Sequence, residues 1–344
     1  MIGIVLAVVL AACGGGDNPS ASSAATPTVS ATLNGSGATF PKAFYEEAIA
    51  SLHKKHPGIT VNYAGGGSGK GRQELQDQVV DFAGSDGLVK DEDKSKYKGG
   101  EFLYVPTVAA PITVAYKLPL TDLRLAPDTI AAVFQRKVLR WDDAAIAADN
   151  PGVTLPGLPI VVARRADGSG TTENFTRFLS RASAQWTLGT GATVEWPADT
   201  QAGNGNTGVA SIVKGTTGAI GYVDLSDARA TGLALALVRN KAGRFVAPTL
   251  EGASAALAGV TVNSDLTYDP INADGDGAYP ITAPTWILVY RRQPDQRKAD
   301  AVRAFLEFVL TDGQTLAADV DFARLPDPLR DRALQQLTRI EGAG

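Results

Sequence analysis

One unit recurs three times in this chain: a short apolar strand, a loop of small residues, then an amphipathic helix. Thr32-Leu33 leads into Gly35-Ser36-Gly37-Ala38-Thr39-Phe40, and Pro41 to His56 then carries Phe44, Tyr45, Ala48, Ile49 and Leu52 on one helical face until Pro57-Gly58 stops it. Ile59 to Tyr63 is the second strand, Gly65-Gly66-Gly67-Ser68-Gly69 its loop, and a helix through Leu75 and Val79 follows. The third instance runs from Ile160-Val161-Val162-Ala163 through Arg164-Arg165-Ala166-Asp167-Gly168-Ser169-Gly170 into a helix bearing Phe175, Phe178 and Leu179. Strands alternating with helices in this way specify an α/β protein.

At 344 residues the chain is long enough for two domains. Two continuously apolar runs, Ile112 to Tyr116 and Trp286 to Tyr290, fall outside the repeated unit and are suited to carry the chain from one domain to the other and back. Ala299 to Leu310 is expected to be a helix with Val302, Phe305, Leu306 and Val309 inward. A single cysteine rules out an internal disulfide, and 32 Lys and Arg against 36 Asp and Glu, with no basic block, argue against a nucleic-acid groove.

The amino terminus carries an address. Ile2 to Ala12 is an uncharged apolar run, too short to span a bilayer and the right size for the core of a signal peptide. Leu10-Ala11-Ala12-Cys13 resembles the lipobox of bacterial lipoproteins, which makes Cys13 the expected lipidation site. The Gly/Ser/Ala/Pro tract from Gly14 to Thr28 has no means of packing a core and is expected to be a tether. No Lys or Arg precedes the apolar run, so a start upstream of Met1 is expected.

Helix amino termini present unpaired N–H groups and a partial positive charge, so loops of Gly, Ser and Thr entering helices are anion cradles. Gly37 to Phe40, Gly67 to Gly69 and Gly168 to Thr171 are three such loops. Competing motifs fail on their residues. A Walker A loop ending at Gly69-Lys70 would need glycine at Ala64 and Ser or Thr at Gly71. Gly203-Asn204-Gly205-Asn206-Thr207-Gly208 matches G-x-G-x-x-G, but Glu195 to Asp199 before it is no buried strand, and the segment is expected to be a loop. Asn272 to Gly277 lacks the closing Glu of an EF-hand, since that position is Ala283. His53 and His56, the only histidines, have no carboxylate cluster beside them, so a metal site and a Ser-His-Asp triad are both disfavoured. No metal and no cofactor are expected.

Two charged features remain. Asp86 ends the apolar stretch Asp81-Phe82-Ala83-Gly84-Ser85, and an acid beside an anion cradle makes sense if the anion carries a proton. In an extended loop the side chains of Arg165 and Asp167 point the same way, letting Asp167 orient the guanidinium for a bidentate grip.

Gly35-Ser36-Gly37-Ala38-Thr39-Phe40-Pro41, Phe82-Ala83-Gly84-Ser85-Asp86 and Arg164-Arg165-Ala166-Asp167-Gly168-Ser169-Gly170-Thr171 resemble the corresponding stretches of the PstS family, the extracytoplasmic phosphate receptors of phosphate ABC transporters. The resemblance extends over most of Ala31 to Pro326, including Lys137 to Asp143, Thr217 to Val223 and Tyr279 to Thr282. It implies a type II periplasmic-binding-protein fold, with two α/β lobes joined by crossover strands and a ligand cleft that closes at a hinge. The implied division is 1–12 signal peptide, 13–30 lipidated cysteine and tether, 31–110 with 280–344 one lobe, and 111–279 the other.

Carried over residue by residue, the implied phosphate ligands are Thr39, Phe40, Ser68, Asp86, Arg165, Ser169, Gly170 and Thr171, with Asp167 supporting Arg165. At Gly69 and Lys70 the chain departs from the Ser-Gly of many members. The implied partners are inorganic phosphate and the permease subunits, the implied location is outside the cytoplasmic membrane on a lipid anchor, and a monomer is expected. Ionised Asp86 accepts a hydrogen bond from protonated phosphate but faces bare oxygens in sulfate, which is a basis for selectivity. A receptor for another tetrahedral oxyanion and an extracytoplasmic phosphatase are the alternatives, although an enzyme is not expected from a chain without a metal cluster or activated nucleophile.

Overall fold

The computed structural model describes residues 30–343; the expected signal peptide, Cys13 and the tether to Thr28 lie outside the described residues. Three parallel strands open the first lobe: Ala31–Gly37 lies between Ile59–Gly65 and Phe82–Ser85. Thr282–Tyr290 then pairs antiparallel with Phe82–Ser85 on one side and with Phe102–Tyr116 on the other. In the second lobe Val161–Arg165 pairs parallel with both Gln201–Gly203 and Ala219–Asp224.

The 15-residue strand Phe102–Tyr116 belongs to both halves. Up to Pro111 it pairs with Thr282–Tyr290, and from Ile112 onward with Ala219–Asp224. Proline has no N–H for a ladder and is tolerated where pairing is interrupted. Pro111 stands at this change of partner, and Pro106 lies opposite Trp286, beside the register shift between Thr285 and Trp286. The expected strand Ile112 to Tyr116 is thus only the last third of a crossover that starts at Phe102, and the expected Trp286 to Tyr290 begins four residues earlier, at Thr282. Every residue of Thr282–Tyr290 is buried, as a central strand covered on both faces requires.

The helices bury the faces their spacing specifies. Lys42–Lys55 packs Phe44, Tyr45, Ala48 and Leu52 inward, and Gln296–Leu310, capped by Asp295 accepting from the Lys298 N–H, buries Val302, Phe305, Leu306 and Val309. The helix expected through Val79 ends at Gln76; Gln78 has φ of 60° and Val79 is 67% exposed. A residue in the left-handed region does not continue a right-handed helix. Among the described residues no helix is long and apolar enough to cross a membrane.

Candidate functional site

Four helix amino termini converge where the lobes meet. The first loop turns at Gly37, whose φ is +131° and whose missing Cβ would lie 2.2 Å from Gly84 O. Only glycine fits there. The Ala38 N–H donates to Gly84 O (2.9 Å) and Tyr63 Oη donates to Ala38 O (2.7 Å), which fixes the loop. Beyond it Phe40 is buried, with its ring edge-on to Phe322 at 5.8 Å. The second loop, with Gly67 at φ +91°, delivers buried Ser68 to the start of helix Ser68–Gln76. Among the described residues the backbone N–H groups of Thr39, Phe40, Ser68 and Thr171 donate to no protein group. Unpaired N–H donors at helix starts are what the anion cradle outlined above requires.

From the second lobe, Ser169 caps helix Gly170–Ala182 by accepting from the Thr172 N–H (3.1 Å). Arg165, 3% exposed, donates from Nε to Asp167 Oδ1 at 2.8 Å and from Nη2 to Asp167 Oδ2, the bidentate pair expected of an extended loop. Its Nη1 donates to Thr171 Oγ1 (3.3 Å), and its backbone N–H donates to Tyr222 Oη (3.1 Å). Tyr222 is itself fixed by a stacked Phe175 at 4.4 Å and a 2.7 Å hydrogen bond with Thr172 Oγ1.

The two lobes touch through these same residues. The Gly170 N–H donates to Ser68 Oγ (3.2 Å), the Gly69 N–H to Gly168 O (2.9 Å), and Asn174 Nδ2 to the backbone carbonyl of Asp86 (2.6 Å). A Cβ on Gly170 would lie 2.5 Å from Ser68 Oγ and 2.6 Å from Asp86 Cβ, so a hydrogen atom at this position is what lets the faces meet. Farther out, Arg72 and Glu173 pair across the gap at 3.5 Å, while Lys70 stays on its own helix beside Glu74.

Asp86 is 1% exposed. Burial pushes its carboxyl up to about 7, and the Thr285 hydrogen bond, the Arg165 charge and the Ser68 hydroxyl offset only part of that rise. Thr285 Oγ1 donates to Oδ1 at 2.7 Å and Ser68 Oγ to Oδ2 at 3.3 Å. Asp167 is the opposite case. Burial works against its charge, but hydrogen bonding to Arg165, the Arg165 charge and the Gly205 N–H outweigh it and hold the carboxyl below its ordinary value.

Of the residues singled out from the sequence, Thr39, Ser68, Asp86, Arg165, Asp167, Gly170 and Thr171 come together through these contacts, with Phe40 and Ser169 next to them along the chain. Two more belong with them. Thr285 lies inside a buried strand, where nothing in the sequence separates it from core. Asn206 lies in the segment expected to be a loop, which instead begins helix Gly205–Gly215 after the short strand Gln201–Gly203. A strand of three residues leaves too little apolar pattern to read. His53 and His56 are exposed, and among the described residues no group of three or more His, Cys, Asp or Glu could hold a metal ion.

Two α/β lobes meeting at converging helix starts define a type II solute-binding protein. Residues 22–313 match the family model for the PBP superfamily domain. The chain is 35% identical over 307 residues to the phosphate-binding protein PstS of Pasteurella multocida, covering 88% of this chain and 89% of that one. It is 36% identical over 337 residues to PstS of Methanocaldococcus jannaschii (90% and 86%), and 34% identical over 346 residues to PstS 3 of Mycobacterium tuberculosis (95% and 93%). Its fold superposes on a periplasmic phosphate-binding protein bound with phosphate (PfluDING) with a TM-score of 0.74 at 23% identity, over 88% of this chain and 92% of that one. The chain belongs to the PstS family of phosphate-binding proteins.

Proposed function

We propose that this protein binds inorganic phosphate outside the cytoplasmic membrane and delivers it to the permease of a phosphate ABC transporter. In this reading the backbone N–H groups of Thr39, Phe40 and Thr171, with the hydroxyls of Thr39, Ser68, Ser169 and Thr171, surround the phosphate oxygens. Arg165, held by Asp167, supplies the positive charge, and Gly170 lets the lobes close. The lobes are 31–110 with 280–344 and 111–279. Cys13 carries the lipid anchor, residues 14–30 form the tether, and the protein acts as a monomeric receptor, not an enzyme.

The observation that carries this reading is Asp86. A buried carboxyl poised near neutrality beside unpaired N–H donors suits an anion that owns a proton. Phosphate at neutral pH always owns one or two, and its proton can bridge to a carboxylate oxygen. Sulfate brings none, so an ionised Asp86 would be left buried against bare oxygens, a penalty that rejects such analogues by roughly ten-thousand-fold. The same contrast disfavours a receptor for molybdate or sulfate.

Calorimetric titration of the purified chain, unfolded and refolded to strip bound anion, tests the proposal with phosphate, arsenate, sulfate and molybdate. Above about pH 8, where Asp86 is ionised, tight binding of phosphate and arsenate without sulfate or molybdate is expected, together with no release of product from an aryl phosphate. Absence of phosphate binding overturns the ligand assignment, and turnover of the aryl phosphate overturns the receptor reading.

A further inference from the structure

Two threonine hydroxyls, one from each lobe, share a single asparagine. Asn206 is fully buried in the first turn of helix Gly205–Gly215. Its backbone N–H and its Nδ2 both donate to Thr39 Oγ1, at 3.3 and 3.4 Å. Nδ2 also donates to Thr171 Oγ1 at 3.3 Å, the oxygen that already accepts from Arg165 Nη1 at 3.3 Å. A threonine hydroxyl has two lone pairs and one proton. Each of these hydroxyls therefore has both acceptor positions filled, and its remaining capacity is its own O–H. Among the described residues neither O–H has an acceptor.

We propose that Asn206 is a positioning residue for the bound anion: by occupying both lone pairs of Thr39 and, together with Arg165, those of Thr171, it turns both O–H groups toward the ligand oxygens. A neutral amide does this without altering the charge of the site. Because Asn206 and Thr39 belong to different lobes, the Thr39 hydroxyl is aligned only when the cleft is closed, so closure and alignment are one event. The arrangement leaves Asn206 Oδ1 buried with no donor, a deficit that native structures keep mainly where it serves a role. The inference rests on the phosphate reading above.

A mutant cycle on the full chain, stripped of anion and titrated with inorganic phosphate, tests it. Asn206→Ala is expected to weaken phosphate binding about 10- to 100-fold, the scale of hydrogen bonds to a charged group. In a chain already carrying Thr39→Val and Thr171→Val the same substitution is expected to change affinity less than about threefold, because no hydroxyl remains to be oriented. Melting of the ligand-free variants reports folding, and Asn206→Leu, which fills the same volume, takes the place of alanine if the smaller side chain unfolds the helix start. An equal loss in both backgrounds overturns the positioning role, as does no loss in the wild-type background. Wild-type chain that fails to bind phosphate removes the functional reading itself, whereas wild-type binding without coupling removes only the role of Asn206.

Discussion

Asp86 and Asp167 are the same residue type on opposite faces of one cleft, and their surroundings drive them apart. Asp86 has hydroxyl partners, Thr285 and Ser68, and burial raises its carboxyl to about 7. Asp167 has a guanidinium in a bidentate grip and a backbone N–H from Gly205 at 3.1 Å, and it stays ionised. A hydroxyl shares its hydrogen bond without neutralising a charge, so it slows but does not cancel the cost of burial. In the proposed reading the two divide the labour: one carboxyl would hold the cation that attracts the anion, and the other would inspect the anion for a proton.

The largest expected effect comes from removing the cation. Arg165→Ala takes the positive charge from the site and leaves half-buried Asp167 without its partner, at a cost of about 2–5 kcal/mol in phosphate affinity. Adding Asp167→Asn is expected to restore thermal stability but not binding, as melting and calorimetry of the pair would show. Full recovery of binding would break the contrast.

Asp86 has the opposite signature in the ligand-free protein. Because its folded value lies above the unfolded one, its contribution to stability is full below about pH 4 and is lost as pH rises through about 7. Relative to Asp86→Asn, which does not titrate, the wild-type chain is expected to lose stability progressively over that window, up to about 4 kcal/mol. Denaturant unfolding of both chains from acid to mildly alkaline pH measures the difference; a constant gap would mean that Asp86 is ionised throughout.

Gly170 is where the two faces meet. Gly170→Ala is expected to weaken phosphate binding by about 1–3 kcal/mol, since its Cβ would strike Ser68 Oγ and Asp86 Cβ on closure. Scattering of the ligand-saturated variant should show a more open molecule, with folding intact. The smallest effect is expected from Thr285→Val, which removes the 2.7 Å hydrogen bond to Asp86 Oδ1 that holds the carboxyl down, and so raises it further. The pH dependence of ligand-free stability reads that displacement.

Much of this architecture was legible in the residues. Helical faces such as Phe44, Tyr45, Ala48 and Leu52 follow from spacing alone, and the Gly/Ser/Thr loops point to helix starts because few other uses exist for them. The Arg165 and Asp167 pair was legible because both residues sit on one extended loop. Thr285 and Asn206 were not, since each meets the site across 199 and 167 residues of chain, a distance only topology closes. Thr285 is further disguised by its strand, in which every residue is buried whether or not it faces the site. Val79 misled in the other direction: an apolar residue at helical spacing extends a pattern on paper, while the left-handed backbone at Gln78 ends the helix before it.

The most direct test of the proton-reading role of Asp86 is the sulfate affinity of the stripped wild-type chain between about pH 5 and pH 9. Above about pH 8 the ionised carboxylate should exclude sulfate, and as pH falls below about 7 the protonated carboxyl becomes a donor, so sulfate binding should emerge and strengthen toward acid. Sulfate binding that is independent of pH and comparable to that of phosphate would contradict it.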